Sequence, residues 1–227
     1  MIWLLKIKKL IIKNKQRIIG ASGGVVAFGL VVWSGLFFAV PGNYDPPLPI
    51  DSNEISLYLT NKLGPQLHNK AQYEQPFDLV VEENGVNDII ARELHSWQFD
   101  GLTIQRIGVA FEQGGVCLMG RCGYMGLDFI ATVFIKPEID KNGNFFLGIK
   151  KVKAGRARLP FAAMIIRKKI AGRLEKSASE KLFGDVADLL LNSGTIEPVM
   201  KVGGVKIRAE KIVTVEKKMI ISFVPQE

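Results

Sequence analysis

Residues 18–40, IIGASGGVVAFGLVVWSGLFFAV, contain no ionisable side chain. At the helical rise these 23 residues span about 34 Å, enough to cross a hydrocarbon core of about 30 Å with some tilt. Gly20, Gly23, Gly24, Gly29 and Gly35 would weaken a soluble helix but are ordinary in membrane spans. The pattern therefore predicts a transmembrane helix over 18–40. Two other readings compete with it. A cleaved signal peptide has a shorter apolar region and a small-x-small site, which Phe38-Ala39-Val40-Pro41 does not cleanly supply. A buried core helix of this length normally carries polar interruptions.

Beyond the span the pattern changes character. Residues 41–50 read PGNYDPPLPI; proline fixes φ and lacks a donor, so this reads as an extended, stiff linker over 41–51, holding a folded part off the bilayer. Asp51 to Glu54 supply cap residues for a short helix to Leu63, with Ile55, Leu59 and Leu63 on one face and Gly64-Pro65 as its stop. FDLVV from Phe77 is β-rich. Asn84 reads as a cap, and Val86, Ile89, Ile90 and Leu94 make a helical stripe. After a loop through Trp97 and Asp100-Gly101 come strand patterns at TIQRIGVAF, GVCLM, GLDFIATVFI and NFFLGIKKV, with Asn142-Gly143 as a turn. Pro160 opens a long helix over 161–183, in which Ala162, Ile166, Ile170, Leu174, Ala178 and Leu182 form one apolar seam. A second helix is predicted over 185–191. PVMKV, VKIRAEKIVTV and MIISFV then read as strands turned at Gly203-Gly204 and Lys217-Lys218. The order α, βα, ββββ, αα, βββ predicts an α+β domain over 52–227, a curved antiparallel sheet packed on one long helix.

Composition changes this picture only where charge is concerned. The chain has 227 residues and a net charge of +8, which on its own suggests nucleic acid. Six of those charges are Lys6, Lys8, Lys9, Lys13, Lys15 and Arg17, in a tail over 1–17 that has no acid. By the positive-inside bias they place the N-terminus in the cytoplasm and residues 41–227 outside it, anchored in the inner membrane. The first twelve residues also suit an amphipathic stretch in the headgroup region, or a plain positive flank. The outer portion retains +2, which divides into +9 between Lys150 and Lys181 and −7 elsewhere. Within the basic stretch Arg167, Lys168, Lys169 and Arg173 form a candidate lipid-headgroup patch. The plainer alternative is a solvated helix face whose long stems shield apolar surface. Nucleic acid is disfavoured, because this segment would not meet it.

Little material for catalysis is present. His68 and His95 are far apart in sequence and in no recognisable nucleophile or base motif, and no glycine loop carries the Lys-Ser/Thr of a P-loop. No cofactor or metal is expected. Cys117 and Cys122 lie outside the cytoplasm on this topology, where disulfides form. If Met119-Gly120 is a two-residue turn, they face each other and can pair; if one strand runs straight through, they point to opposite faces as free thiols.

FDLVVEENGVNDIIA, GVCLMGR, PEIDKNGNFFLGIKKVKAGRARLP and the closing MIISFVP resemble single-pass, membrane-anchored bacterial envelope proteins of planctomycete type, and more distantly YpmS-like and LmeA-like proteins. Val86-Asn87 with Ile89-Ile90 matches their LN element. Pro137, Ile139, Asp140, Gly143 and Leu147 match a hairpin, and Gly155, Leu159 and Pro160 match a lead into a helix. Glu82 departs from the usual Thr. The resemblance spans residues 77–225 and implies a tubular lipid-binding fold, in which the seam of Ala162, Ile166, Ile170, Leu174 and Leu182 would face acyl chains. The expectation is a non-catalytic, membrane-anchored periplasmic domain that binds lipid or another apolar ligand. The alternative is a structural or accessory subunit that contacts other membrane-protein subunits through its Gly-rich span and its sheet.

Overall fold

The computed structural model describes residues 24–50, 54–93, 96–99, 101–159 and 196–226. The basic tail with Lys6, Lys8, Lys9, Lys13, Lys15 and Arg17, the seam helix over 161–183 with its patch Arg167, Lys168, Lys169 and Arg173, and the helix over 185–191 lie outside the described residues. So does the beginning of the expected span. Its described part is helix α1 (residues 24–38), lined by exposed Val25, Phe28, Leu30 and Val31. The Ser34 hydroxyl donates to the Leu30 carbonyl at 2.8 Å, which hides its polarity within the helix. No helix among the described residues is long and apolar enough to cross a membrane.

The domain is α+β, but it holds two antiparallel sheets rather than the one expected. The larger runs in the order β2 (Trp97–Phe99), β3 (Leu102–Glu112), β4 (Gly115–Tyr124), β5 (Leu127–Ile139), β6 (Phe145–Ala154) and β7 (Ala157–Arg158). The smaller runs β1 (Phe77–Glu82), β10 (Lys218–Gln226), β9 (Val205–Val215) and β8 (Val199–Val202). Two strands differ from the sequence pattern. β2 occupies what reads as a loop and returns to β3 through Gly101, whose φ of +76° suits a tight hairpin. β4 runs unbroken through Met119-Gly120, where a turn was one expectation. The last hairpin turns at Glu216-Lys217, one position earlier than predicted, since Lys218 already pairs with Val215.

The Gly64-Pro65 pair does not end its helix. Residues Leu59–Leu63 form a π-helical turn that passes directly into α2 (Gly64–Ala71), and the Gly64 N–H bonds to the Leu59 carbonyl. Proline removes one donor and crowds the carbonyl four residues back. The wider π turn relieves that crowding, so the chain stays helical. The buried face is accordingly Leu63, Leu67 and Ala71, while Ile55 and Leu59 are exposed.

Helix α3 (Glu83–Glu93) follows β1 without a loop, so Asn84 sits inside its first turn rather than capping it. The core lies between the two sheets and these helices. Leu79 and Val81 of β1, Ile90 of α3, Val109 and Phe111 of β3, Ile207 and Ala209 of β9 and Phe223 of β10 are all buried together. Beyond the short β2, β3 has an unpaired edge, and side chains complete it. Asn87 donates to the Val109 carbonyl and accepts from the Val109 N–H, both at 2.8 Å, as a neighbouring strand would. Two residues on, Glu83 accepts from the Phe111 N–H, and the Lys217 N–H donates to the Phe111 carbonyl. Asn87→Ala leaves both Val109 groups unpartnered and is expected to cost about 1–3 kcal/mol in a urea titration; an unchanged midpoint would contradict this account of the edge.

Candidate functional site

The chain does not stand off the domain between the helix and the fold. Residues 41–50 lie along the larger sheet as a strap. The Tyr44 hydroxyl donates to the Arg106 carbonyl at 2.8 Å, and the Asn43 amide donates to Glu112 at 2.9 Å. A Cβ at Gly108 would sit 3.1 Å from Pro46 Cα, so the missing side chain lets the strap lie close. The Ile50 N–H then reaches the Ala91 carbonyl of α3. Tyr44 covers a small cluster of Cys117, Met119 and Ile130, on the sheet face opposite the main core. Burial raises the Tyr44 pKa above its ordinary value, with Arg106 opposing.

The end of α1 is tied down more closely still. Helix C-termini leave carbonyls unpaired, and here the β6–β7 turn supplies donors. The Arg156 N–H bonds to the Leu36 carbonyl at 2.8 Å, and its guanidinium Nε reaches the Val40 carbonyl at 3.3 Å. Gly155 adopts φ +56°, and a Cβ there would fall 2.3 Å from the Phe37 oxygen. The Phe37 ring lies 5.1 Å from that of Phe129 on β5 and 5.5 Å from Trp33. Sequence reasoning missed Tyr44 and Arg156 as anchoring groups. Only the resemblance singled out Gly155, without a physical reason; the close approach of the helix end supplies it.

Beside this junction β5 and β6 carry a strip of apolar side chains. Val133 and Ile135 alternate with residues of the opposite face and pair with Val152 and Ile149, and Pro137 pairs with Leu147. Val133, Ile135, Leu147 and Ile149 are only partly buried and lie outside both packed core clusters of the described residues. The other face is polar here: Lys136 and Lys150 both pair with Glu138, and the Lys151 ammonium lies over the Phe134 ring at 5.4 Å. Residues 160–195 leave from and return to this same strand. The Leu159 N–H bonds to the Val152 carbonyl, and Ile196 exchanges both backbone bonds with Phe145.

Two open clefts also mark the described surface. One, about 290 Å³, lies between the end of β5 and β9 and is lined by Lys136, Glu138, Glu210 and Lys211 among others. The other, about 450 Å³, separates the strap from α3 at Asp45, Pro46, Asn84 and Asp88. Asp88 accepts a hydrogen bond from the buried Ser56 hydroxyl, which chiefly holds its pKa below the ordinary carboxylate value, with Arg92 adding to it at 3.3 Å. The bond thus stabilises the fold above the ordinary Asp value, and that contribution is lost as pH falls from there through the lowered Asp88 pKa. Ser56→Ala should raise the Asp88 pKa in an NMR titration and flatten the acid limb of the stability profile.

The candidate disulfide is not formed: Cys117 and Cys122 are free and buried. They sit five positions apart in the straight β4, about 16 Å at the strand rise, on opposite faces. A disulfide needs Cα atoms within about 7 Å. Burial, helped by Glu112, pushes the Cys117 thiol up to about 12, and burial also raises Cys122. Intact mass without reductant should therefore count two thiols, with rapid alkylation only after denaturation; a pairing of these two cysteines would refute the register. Among the described residues no group of three or more His, Cys, Asp or Glu is placed to hold a metal ion.

No protein-family model, curated protein or solved structure matches the chain.

Proposed function

We propose that this chain is a single-pass envelope protein, held in the inner membrane with its N-terminus cytoplasmic, whose periplasmic α+β domain binds lipid or another apolar molecule without catalysis. The observation that carries this reading is the partly buried apolar strip of Val133, Ile135, Leu147 and Ile149, lying beside the docked end of α1. Each methylene taken from water onto such a surface contributes about 0.8 kcal/mol, so an acyl chain is a natural occupant. Leu159 and Ile196, which bound the segment carrying the seam of Ala162, Ile166, Ile170, Leu174 and Leu182, are both bonded to β6.

Mass spectrometry of small molecules copurifying with the gently solubilised full chain tests the proposal. A stoichiometric lipid that is lost in Val133→Asp and Ile149→Asp supports it. Equal lipid in the parent and both variants overturns it. A second reading, an accessory subunit of a larger membrane complex, draws support from Gly24, Gly29 and Gly35 on α1, around which space is open for a neighbouring helix. Defined protein subunits in the same preparation, without bound lipid, would favour it.

A further inference from the structure

The β4–β5 hairpin ends in an apolar tip that the core does not use. Tyr124, Met125 and Leu127 are 45%, 84% and 53% exposed. The turn is built to present them, since Met125 and Gly126 both have positive φ, at +50° and +79°. Exposed apolar side chains grouped on one loop mark a contact surface more often than chance scatter does.

Where the tip sits identifies what it meets. The β6–β7 turn that holds the end of α1 is at the same end of the sheet as this tip: Ala154 pairs with Ala131, the Gly155 N–H bonds to the Ile130 carbonyl, and the Arg156 N–H bonds to the Leu36 carbonyl. Phe37 of α1 meets Phe129 there, and the tip lies about 10 Å past Phe129 at the strand rise. Exposed Arg121, Arg156 and Arg158 lie on this half of the sheet at the level of Ile130 to Thr132, Arg121 in an ion pair with Asp128 at 2.7 Å. An apolar tip with cations set behind it is the composition of a surface that dips into a lipid interface.

We infer that the Tyr124–Leu127 hairpin tip inserts into the outer headgroup layer of the bilayer that holds α1, giving the domain a second membrane contact beside its anchor. The inference rests on the membrane-anchor reading, so its test separates the two. The full chain is reconstituted into phosphatidylcholine–phosphatidylglycerol vesicles, with Met125→Cys carrying an NBD label. The same label at Val26→Cys in α1 reports the anchor, and at Lys141→Cys in the exposed β5–β6 loop it reports the far end of the sheet. Buried Cys117 and Cys122 stay unlabelled under native conditions. The expected result is blue-shifted emission and strong quenching by lipid-borne nitroxide at 125 and 26, with neither at 141. Tyr124→Asp with Leu127→Asp should abolish the effect at 125 and leave 26 unchanged. Quenching at 26 without quenching at 125 overturns the tip contact and leaves the anchor standing, whether 125 is then open to water or covered by protein. Quenching at 125 that survives the double substitution assigns it to the dye and overturns the contact as well. Absence of quenching at 26 overturns the anchor reading, and the tip contact falls with it.

Discussion

Gly155→Val is expected to release the end of α1 from the domain. A β-branched residue at φ +56° is strained by about 1–2 kcal/mol before any contact is considered. Its Cβ would also fall 2.3, 2.6 and 2.7 Å from the Phe37, Leu36 and Ala39 oxygens. Those atoms are backbone and cannot swing aside, so the turn must back away. The hydrogen bonds from Arg156 to Leu36 and Val40 then go too, each worth about 0.5–1.5 kcal/mol. Hydrogen exchange should show the Arg156 amide losing protection, and protease should cut within residues 39–47. Gly114→Ala isolates the backbone term, because Gly114 has φ +82° but nothing within 4 Å of a Cβ. Retained Arg156 protection in Gly155→Val would mean the helix end is not held by this turn.

Phe223→Ala should produce the largest loss of stability in the core. Phe223 is 3% exposed, sits on β10 between β1 and β9, and stacks on Phe77 at 5.4 Å. Its pairing partners are Phe77 on one side and Ala209 on the other, beside the bulge where β9 carries the extra residue Glu210. Burying an aromatic ring among such neighbours and then deleting it costs about 3–5 kcal/mol, part transfer energy and part cavity. Against a domain stability of about 5–15 kcal/mol that is a large fraction. Urea denaturation of the full chain in detergent should show a lowered midpoint with an unchanged slope. A loss below about 1 kcal/mol would place Phe223 outside a packed core.

Much of the strand content was legible because alternation survives where one face is wet. Val133 and Ile135 alternate with Thr132, Phe134 and Lys136, and Asn142-Gly143 marks the following turn, with Gly143 at φ +76°. The failures have specific causes. Gly120 reads as a turn residue, yet a Cβ there would lie 3.1 Å from the Ile104 side chain; it is glycine because the neighbouring strand packs close. Gly64-Pro65 reads as a stop because sequence patterns assume α geometry, and one π turn accommodates the proline. The Pro-rich stretch reads as a free linker because Tyr44 to Arg106 and Pro46 to Gly108 are long-range contacts without a period in the sequence. The junction at Gly155 was invisible to periodicity for the same reason. The apolar strip was visible residue by residue, but whether it is covered depends on elements distant in the chain.

The strap has a mechanical consequence. Fully extended, its ten residues would reach about 33–36 Å, enough to let a tethered domain range well away from the membrane surface. Spent along the sheet, that length gives no stand-off. On the proposed anchored, lipid-binding reading the domain stays close to the bilayer, and ligand exchange takes place there.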